Sequence, residues 1–131
     1  MVQHNAARLI YRKRPSHITP LLVELHWLPV EARIEYKICL FVFKCLIQDA
    51  PLYLQDLVTP YQPPRPLRSA TSHRLNPPNV RQKRAGERSF MYAAAKLWNH
   101  LPLHLKMCDS IPSFKSSLKT YLFKDRYKEY V

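Results

Sequence analysis

Hydrophobic side chains recur at steps of three and four residues along most of the chain, the spacing that places them on one face of an α-helix. Between these stretches, prolines and polar clusters mark the breaks. The pattern predicts helices at residues 2–13, from Thr19-Pro20 to the turn at Trp27–Pro29, and at about 30–48, 51–58, 87–99 and 113–129, with a short segment at about 102–107 before the last of them.

Prolines stand at the starts of several of these stretches, where the missing N–H costs nothing. In the second helix Thr19 can cap and Pro20 fits the first turn. With twelve prolines and one glycine, few positions can take a positive φ, and hairpin-rich β structure is disfavoured. The sequence therefore predicts an all-α fold of about five or six short helices.

The stretch at 30–48 has the widest apolar face, so we expect it to be the central helix, buried on nearly all sides. Its stripe consists of Val30, Ile34, Ile38, Phe41 and Cys45. The apolar stripes of the later helices and the two tryptophans, each next to a leucine, supply the rest of the expected core. The predicted core residues are Trp27, Ile34, Ile38, Phe41, Phe90, Leu97, Trp98, Phe114 and Leu118.

Between the helical parts 1–58 and 87–131, the chain changes character. Residues 59–89 hold six of the twelve prolines and seven basic residues, against one acid, Glu87. We interpret 59–86 as a basic, Pro-rich, poorly ordered loop within a single module of residues 1–131. A short β-ribbon of 72–75 with 80–83 is an alternative for part of it, and a plain flexible linker is another.

Charge gives the first indication of function. The chain has 21 Lys and Arg against 9 Asp and Glu, a net charge of +12, which attracts polyanions whatever the fold. Nucleic acid is the leading candidate partner; an anionic membrane surface and a merely solubilising charge are the other interpretations. Flexible cations in series suit phosphates without reading bases. The predicted backbone contacts are Arg65, Arg68, Arg74, Arg81, Lys83, Arg84 and Arg88, and the lysines of 113–129 form a second, weaker candidate surface.

The cysteines and the apolar runs of the chain indicate its cellular compartment. Three cysteines do not make an even disulfide set, the N-terminus lacks the apolar run of a signal peptide, and no apolar stretch is long enough to span a bilayer. We expect an intracellular protein with reduced thiols, with nucleus or cytoplasm unresolved and no membrane partner.

Zinc ligation and nucleophilic catalysis find little support in the residues. His100, His104 and Cys108 are spaced by four, but Pro102 interrupts a helix that would align them, and no paired-cysteine motif accompanies them. A Cys108–His104 nucleophile lacks an orienting acid. No metal or cofactor is expected. Trp27 and Trp98 could stack on bases, but their apolar neighbours favour a place in the core.

An ordered series of short motifs resembles a known family. It runs through Gln3–Ile10, His17–Pro20, Leu25–Val30, Arg33–Lys37, Ala50–Leu54, Leu67–Ser69, Phe90, Ala94, Leu97–Pro102, Phe114-Lys115 and Leu118–Phe123. Together they are similar to the C-terminal, post-thumb segment of jockey-like LINE-type (non-LTR) retrotransposon reverse transcriptases.

The resemblance implies a tail that helps to hold template RNA or target DNA. The family's polymerase centre needs paired aspartates for two metal ions, and this sequence has no Asp-Asp pair, so no catalytic residue carries over. We expect a non-catalytic remnant of a reverse transcriptase that binds RNA or DNA without sequence specificity. The alternative is a structural fragment or protein-interaction module, with a protein partner or self-association through exposed apolar surface.

Overall fold

The computed structural model describes residues 2–12, 17–63, 65, 73–79 and 89–130, and all regular secondary structure in them is helical. The all-α prediction is confirmed, with seven helices in these residues where five or six were expected; two of them are single turns. They are α1 (Val2–Tyr11), α2 (Thr19–Glu24), α3 (Val30–Leu46), α4 (Leu52–Gln55), α5 (Phe90–His100), α6 (Leu103–Lys106) and α7 (Ile111–Arg126).

Prolines begin the helices as expected, but threonine does not cap α2. Pro20 lies in the first turn of α2, where its fixed φ suits the helix. The N-cap residue is Ile18, and no side chain bonds to the first turn, because Thr19 has already entered the helix. Pro51 and Pro102 are themselves the N-cap residues of α4 and α6.

Helices α2 and α3 end in Schellman motifs without glycine. After α2, His26 has φ 52°, and the N–H groups of His26 and Trp27 donate to Val23 and Leu22 at 3.0 and 2.9 Å. After α3, Gln48 has φ 61° and makes the equivalent bond to Cys45 at 3.2 Å. These bonds satisfy carbonyls that the helix end leaves unpaired, although neither residue has the freedom of glycine.

Residue contacts divide the chain into two compact units: Met1–Tyr36 with Ser117–Val131, and Lys37–Ser116. The single-module organisation stays a prediction. In the first unit, Ala7, Leu21, Leu22 and Tyr127 form a buried cluster, with Trp27 and Phe123 packed against it. The Tyr127 hydroxyl donates to the Trp27 carbonyl at 2.9 Å, and its ring meets Phe123 edge-on at 4.8 Å.

The second unit has an aromatic centre. Phe43 stacks on Phe114 with ring centroids 4.2 Å apart and planes 5° from parallel, and Trp98 lies against Phe114 at 6.0 Å. Cys39 and Cys45 are buried in this unit, and burial raises the pKa of the Cys45 thiol. Buried thiols act as small apolar core groups.

The buried face of α3 differs from the predicted stripe, and the expected burial on nearly all sides is wrong. Ile34 is 55% exposed and Phe41 is 44% exposed, so both are corrected from core to surface. The residues that α3 buries are Ala32, Cys39, Val42, Phe43 and Cys45. Apolar side chains surround the second half of α3, so periodicity alone cannot decide which of them meet the core; Ala32 also lets neighbouring groups approach closely.

The other predicted core residues fall into two groups. Trp98, Phe114 and Leu118 are buried. Trp27, Ile38, Phe90 and Leu97 are half-buried. No helix among the described residues has both the length and the apolar character required to cross a membrane.

Candidate nucleic-acid interface

An isolated antiparallel bridge joins Pro60 to Leu75 in the second unit. Its two hydrogen bonds flank the pair: Tyr61 N–H donates to the Arg74 carbonyl at 2.8 Å, and Asn76 N–H donates to the Thr59 carbonyl at 2.9 Å. In such a pair the two residues' own backbone groups point away from each other. Proline fits this position because its missing N–H would not have faced the partner.

Two adjacent side chains of α5 hold the other side of this segment. Asn99 acts as a peptide group of a neighbouring strand would: its Oδ1 accepts from Leu75 N–H at 2.9 Å, and its Nδ2 donates to the Leu75 carbonyl at 3.0 Å. The Trp98 indole N–H donates to the His73 carbonyl at 2.8 Å. The backbone on both sides of Arg74 is therefore fixed to α5.

Asn99 also binds a cation. The Lys106 ammonium donates to the Asn99 backbone carbonyl at 3.4 Å, one of the carbonyls that the end of α5 leaves without an intrahelical donor. A cation is favoured there by the negative end of the helix dipole. Burial lowers the pKa of Lys106, and the positive charge of Arg74 lowers that pKa further. Arg74 and Lys106 are thus neighbouring like charges.

Basic side chains of the second unit have few acidic partners. Residues 37–116 contain twelve Lys and Arg and four Asp and Glu. Of the seven basic residues that the structure describes there, only Lys44 makes an ion pair, with Asp49 at 3.4 Å. The described ion pairs of the first unit are Arg126–Glu35 and Lys128–Asp125. Ion pairs therefore neutralise few of the described basic side chains of this unit.

The structure describes two of the seven predicted backbone-contact residues, Arg65 and Arg74, and both are exposed. The other predicted contacts lie outside the described residues, as do Ser72 and the 80–83 half of the predicted β-ribbon; the bridging partner of Leu75 is Pro60. The predicted contacts that lie outside the described part are Arg68, Arg81, Lys83, Arg84 and Arg88.

Other candidate groups from the sequence are not assembled into sites. Trp98 is 1% exposed, so its ring cannot stack on a base. His100 Nδ1 bonds to the Lys96 carbonyl at 2.7 Å, and the Cys108 thiol donates to the His104 carbonyl at 3.7 Å. In the described part of the chain, no three His, Cys, Asp or Glu side chains are arranged to hold a metal ion. The basic residues of α7 and its end (Lys115, Lys119, Lys124, Arg126 and Lys128) are all exposed.

Sequence reasoning missed Asn99 and Lys106. Asn99 lies 24 residues from Leu75 along the chain, so no local spacing could join them. One signal was present: Asn is a poor helix former, yet Asn99 stands in the last turn of a predicted helix, next to the apolar pair Leu97-Trp98. Lys106 is a single cation in the short, apolar α6 region.

The chain matches no protein-family model, no curated protein and no solved structure. Its resemblance to the tail of LINE-type reverse transcriptases stays a prediction that rests on the ordered motifs.

Proposed function

We propose that this protein is a non-catalytic remnant of a retrotransposon reverse transcriptase, a C-terminal tail module that binds the backbone of RNA or DNA. The observation that carries the proposal is the charge of residues 37–116, where twelve basic residues face four acidic ones and six of the seven described cations make no ion pair. Cations without acidic partners are free to neutralise phosphates.

Binding without sequence specificity fits the side chains available. Bases are read by side chains that reach their edges or stack on their faces. Trp98 is buried, and the predicted contacts are arginines and one lysine. Where such residues contact phosphate oxygens, they give affinity and position on the backbone without reading the base.

Salt-dependent binding tests the proposal. We expect the purified protein to bind a labelled single-stranded oligonucleotide in fluorescence anisotropy, with the logarithm of the affinity falling linearly against the logarithm of salt concentration. The slope is about 0.7 per phosphate contact on single strands and about 0.9 on duplex. From the sequence, charge reversal at Arg81, Lys83 and Arg84 weakens binding most. No binding at low salt, or a slope near zero, contradicts the proposal.

A structural or protein-interaction role is the second candidate, favoured by exposed apolar side chains. On α1, Leu9 is 78% exposed, and Val2 and Ile10 of the same helix are also on the surface. Exposed apolar groups that gather in one patch mark interfaces. A dimer in sedimentation, together with no retention on nucleic acid in the salt titration, would favour this candidate over the first.

A further inference from the structure

Arg74 and Lys106 are far apart along the chain, and Asn99 contacts both Lys106 and the segment that carries Arg74. Asn99 binds Leu75, the neighbour of Arg74, through two side-chain hydrogen bonds of 2.9 and 3.0 Å. The same residue accepts the Lys106 ammonium on its backbone carbonyl at 3.4 Å. Asn99 therefore fixes the position of one cation through the backbone and of the other directly.

The two cations differ in exposure and in hydrogen-bonding capacity. Arg74 is exposed and its side chain has no ion pair in the described residues, while Lys106 is half-buried with one described hydrogen bond. An ammonium has three donors and a guanidinium five, so both have donors left for another acceptor. A phosphate group offers the negative charge and the several acceptor oxygens that such a pair requires.

We propose that Arg74 and Lys106 together bind one phosphate group of a nucleic-acid backbone, and that Asn99 is the positioning residue of this site. The proposal rests on the proposed function and gives it a defined contact. Leu75 is held on one side by the bridge to Pro60 and on the other by Asn99, so Arg74 is presented from a backbone with little freedom. Binding then costs less conformational entropy.

Salt titrations of four variants on a single-stranded 15-mer of thymidylate test the shared phosphate. Arg74→Gln and Lys106→Gln each lower affinity about fivefold, the loss of one charge-assisted hydrogen-bonded contact. The double variant lowers the log–log slope by about 0.7, the value for one phosphate. Arg8→Gln with Arg33→Gln is the matched control, since both arginines are exposed and belong to the first unit, outside the residues that carry the proposed function. It changes net charge equally and leaves affinity within about twofold.

Asn99→Ala separates positioning from general structural support. In the wild-type background it lowers affinity about as much as Arg74→Gln. In the Arg74→Gln/Lys106→Gln background it has no further effect, because the cations that it positions are gone. An equal additional loss in that background would show that Asn99 acts only by supporting the fold, and would overturn its positioning role.

Inorganic pyrophosphate distinguishes failure of this site from failure of the proposed function. In the wild-type protein we expect it to shift the NMR signals of the Asn99 side-chain amide and of the Lys106 ammonium. If the oligonucleotide binds while these signals stay unmoved and the double variant keeps the full slope, the site is overturned and the proposed function stands. If pyrophosphate shifts the signals and the oligonucleotide does not bind, the nucleic-acid assignment of the site is overturned.

Discussion

Four described residues beside helices or at the interface carry left-handed backbone without being glycine: Arg12, His26, Gln48 and His73, with φ between 47° and 61°. This conformation brings the Cβ of an L-residue close to its following carbonyl and costs roughly 1–2 kcal/mol. Surrounding hydrogen bonds hold each one. The His73 carbonyl accepts a hydrogen bond from the Trp98 indole. The strained residue therefore directly precedes Arg74, whose backbone this bond helps to fix.

Gln48 offers a direct test of this strain. Gln48→Gly should stabilise the protein by about 0.5 kcal/mol, because the relief of the Cβ contact outweighs the greater freedom of glycine in the unfolded chain. Gln48→Val should destabilise it by at least about 1 kcal/mol, since β-branched residues are the least tolerant of positive φ. Urea unfolding of both variants measures the difference. Equal stabilities would show that α3 does not end in the left-handed motif.

At the scale of elements, α3 shows which part of a broad apolar face meets the core. Phe41 and Phe43 lie two residues apart, so they project from different sides of the helix. Phe41 is largely exposed, whereas Phe43 is buried and stacked on Phe114 at 4.2 Å. The same residue type is therefore placed in two environments on one helix.

A pair of identical substitutions tests this placement. Phe43→Leu should lower the free energy of unfolding by about 1.5 kcal/mol, through the loss of aromatic stacking and a small cavity. Phe41→Leu should change it by less than about 0.5 kcal/mol, as surface substitutions usually do. Chemical denaturation of both variants provides the measurement. A larger loss at Phe41 would restore the stripe that the sequence predicts.

The helices were predictable and their contacts only partly so. Proline positions and apolar spacing locate six of the seven helices in the described residues to within a few residues, and α6 lies in the short segment predicted after Pro102. Spacing within the predicted helix 113–129 could not find Tyr127, because at 3.6 residues per turn it lies off the face that carries Phe114 and Leu118. It is buried in the cluster with Leu21 and Leu22, and its hydroxyl donates to the Trp27 carbonyl. The candidate interface was also only partly predictable. Arg74 was predicted from the sequence, whereas the roles of Asn99 and Lys106 depend on a contact with segment 73–76, which is distant along the chain.

At the scale of the whole molecule, one charge distribution acts in two opposite directions. A net charge of +12 attracts polyanions and also repels itself in the compact state. The three ion pairs among the described residues (Lys44–Asp49, Arg126–Glu35 and Lys128–Asp125) involve partly or largely exposed side chains. Exposed pairs contribute at most about 1 kcal/mol each, so they offset little of the repulsion.

Added salt should therefore strengthen the fold while it weakens binding. From about 0.05 to 0.5 M sodium chloride, screening of like charges should raise the free energy of unfolding by on the order of 1 kcal/mol, measured by urea unfolding at each salt concentration. The Arg8→Gln/Arg33→Gln variant, with two fewer charges, should show a smaller rise. A fall in stability would mean that the ion pairs outweigh the repulsion. The rise is the expected consequence of the excess of positive charge and of cations that make no ion pair in the described part of the chain, the same feature from which phosphate binding is inferred.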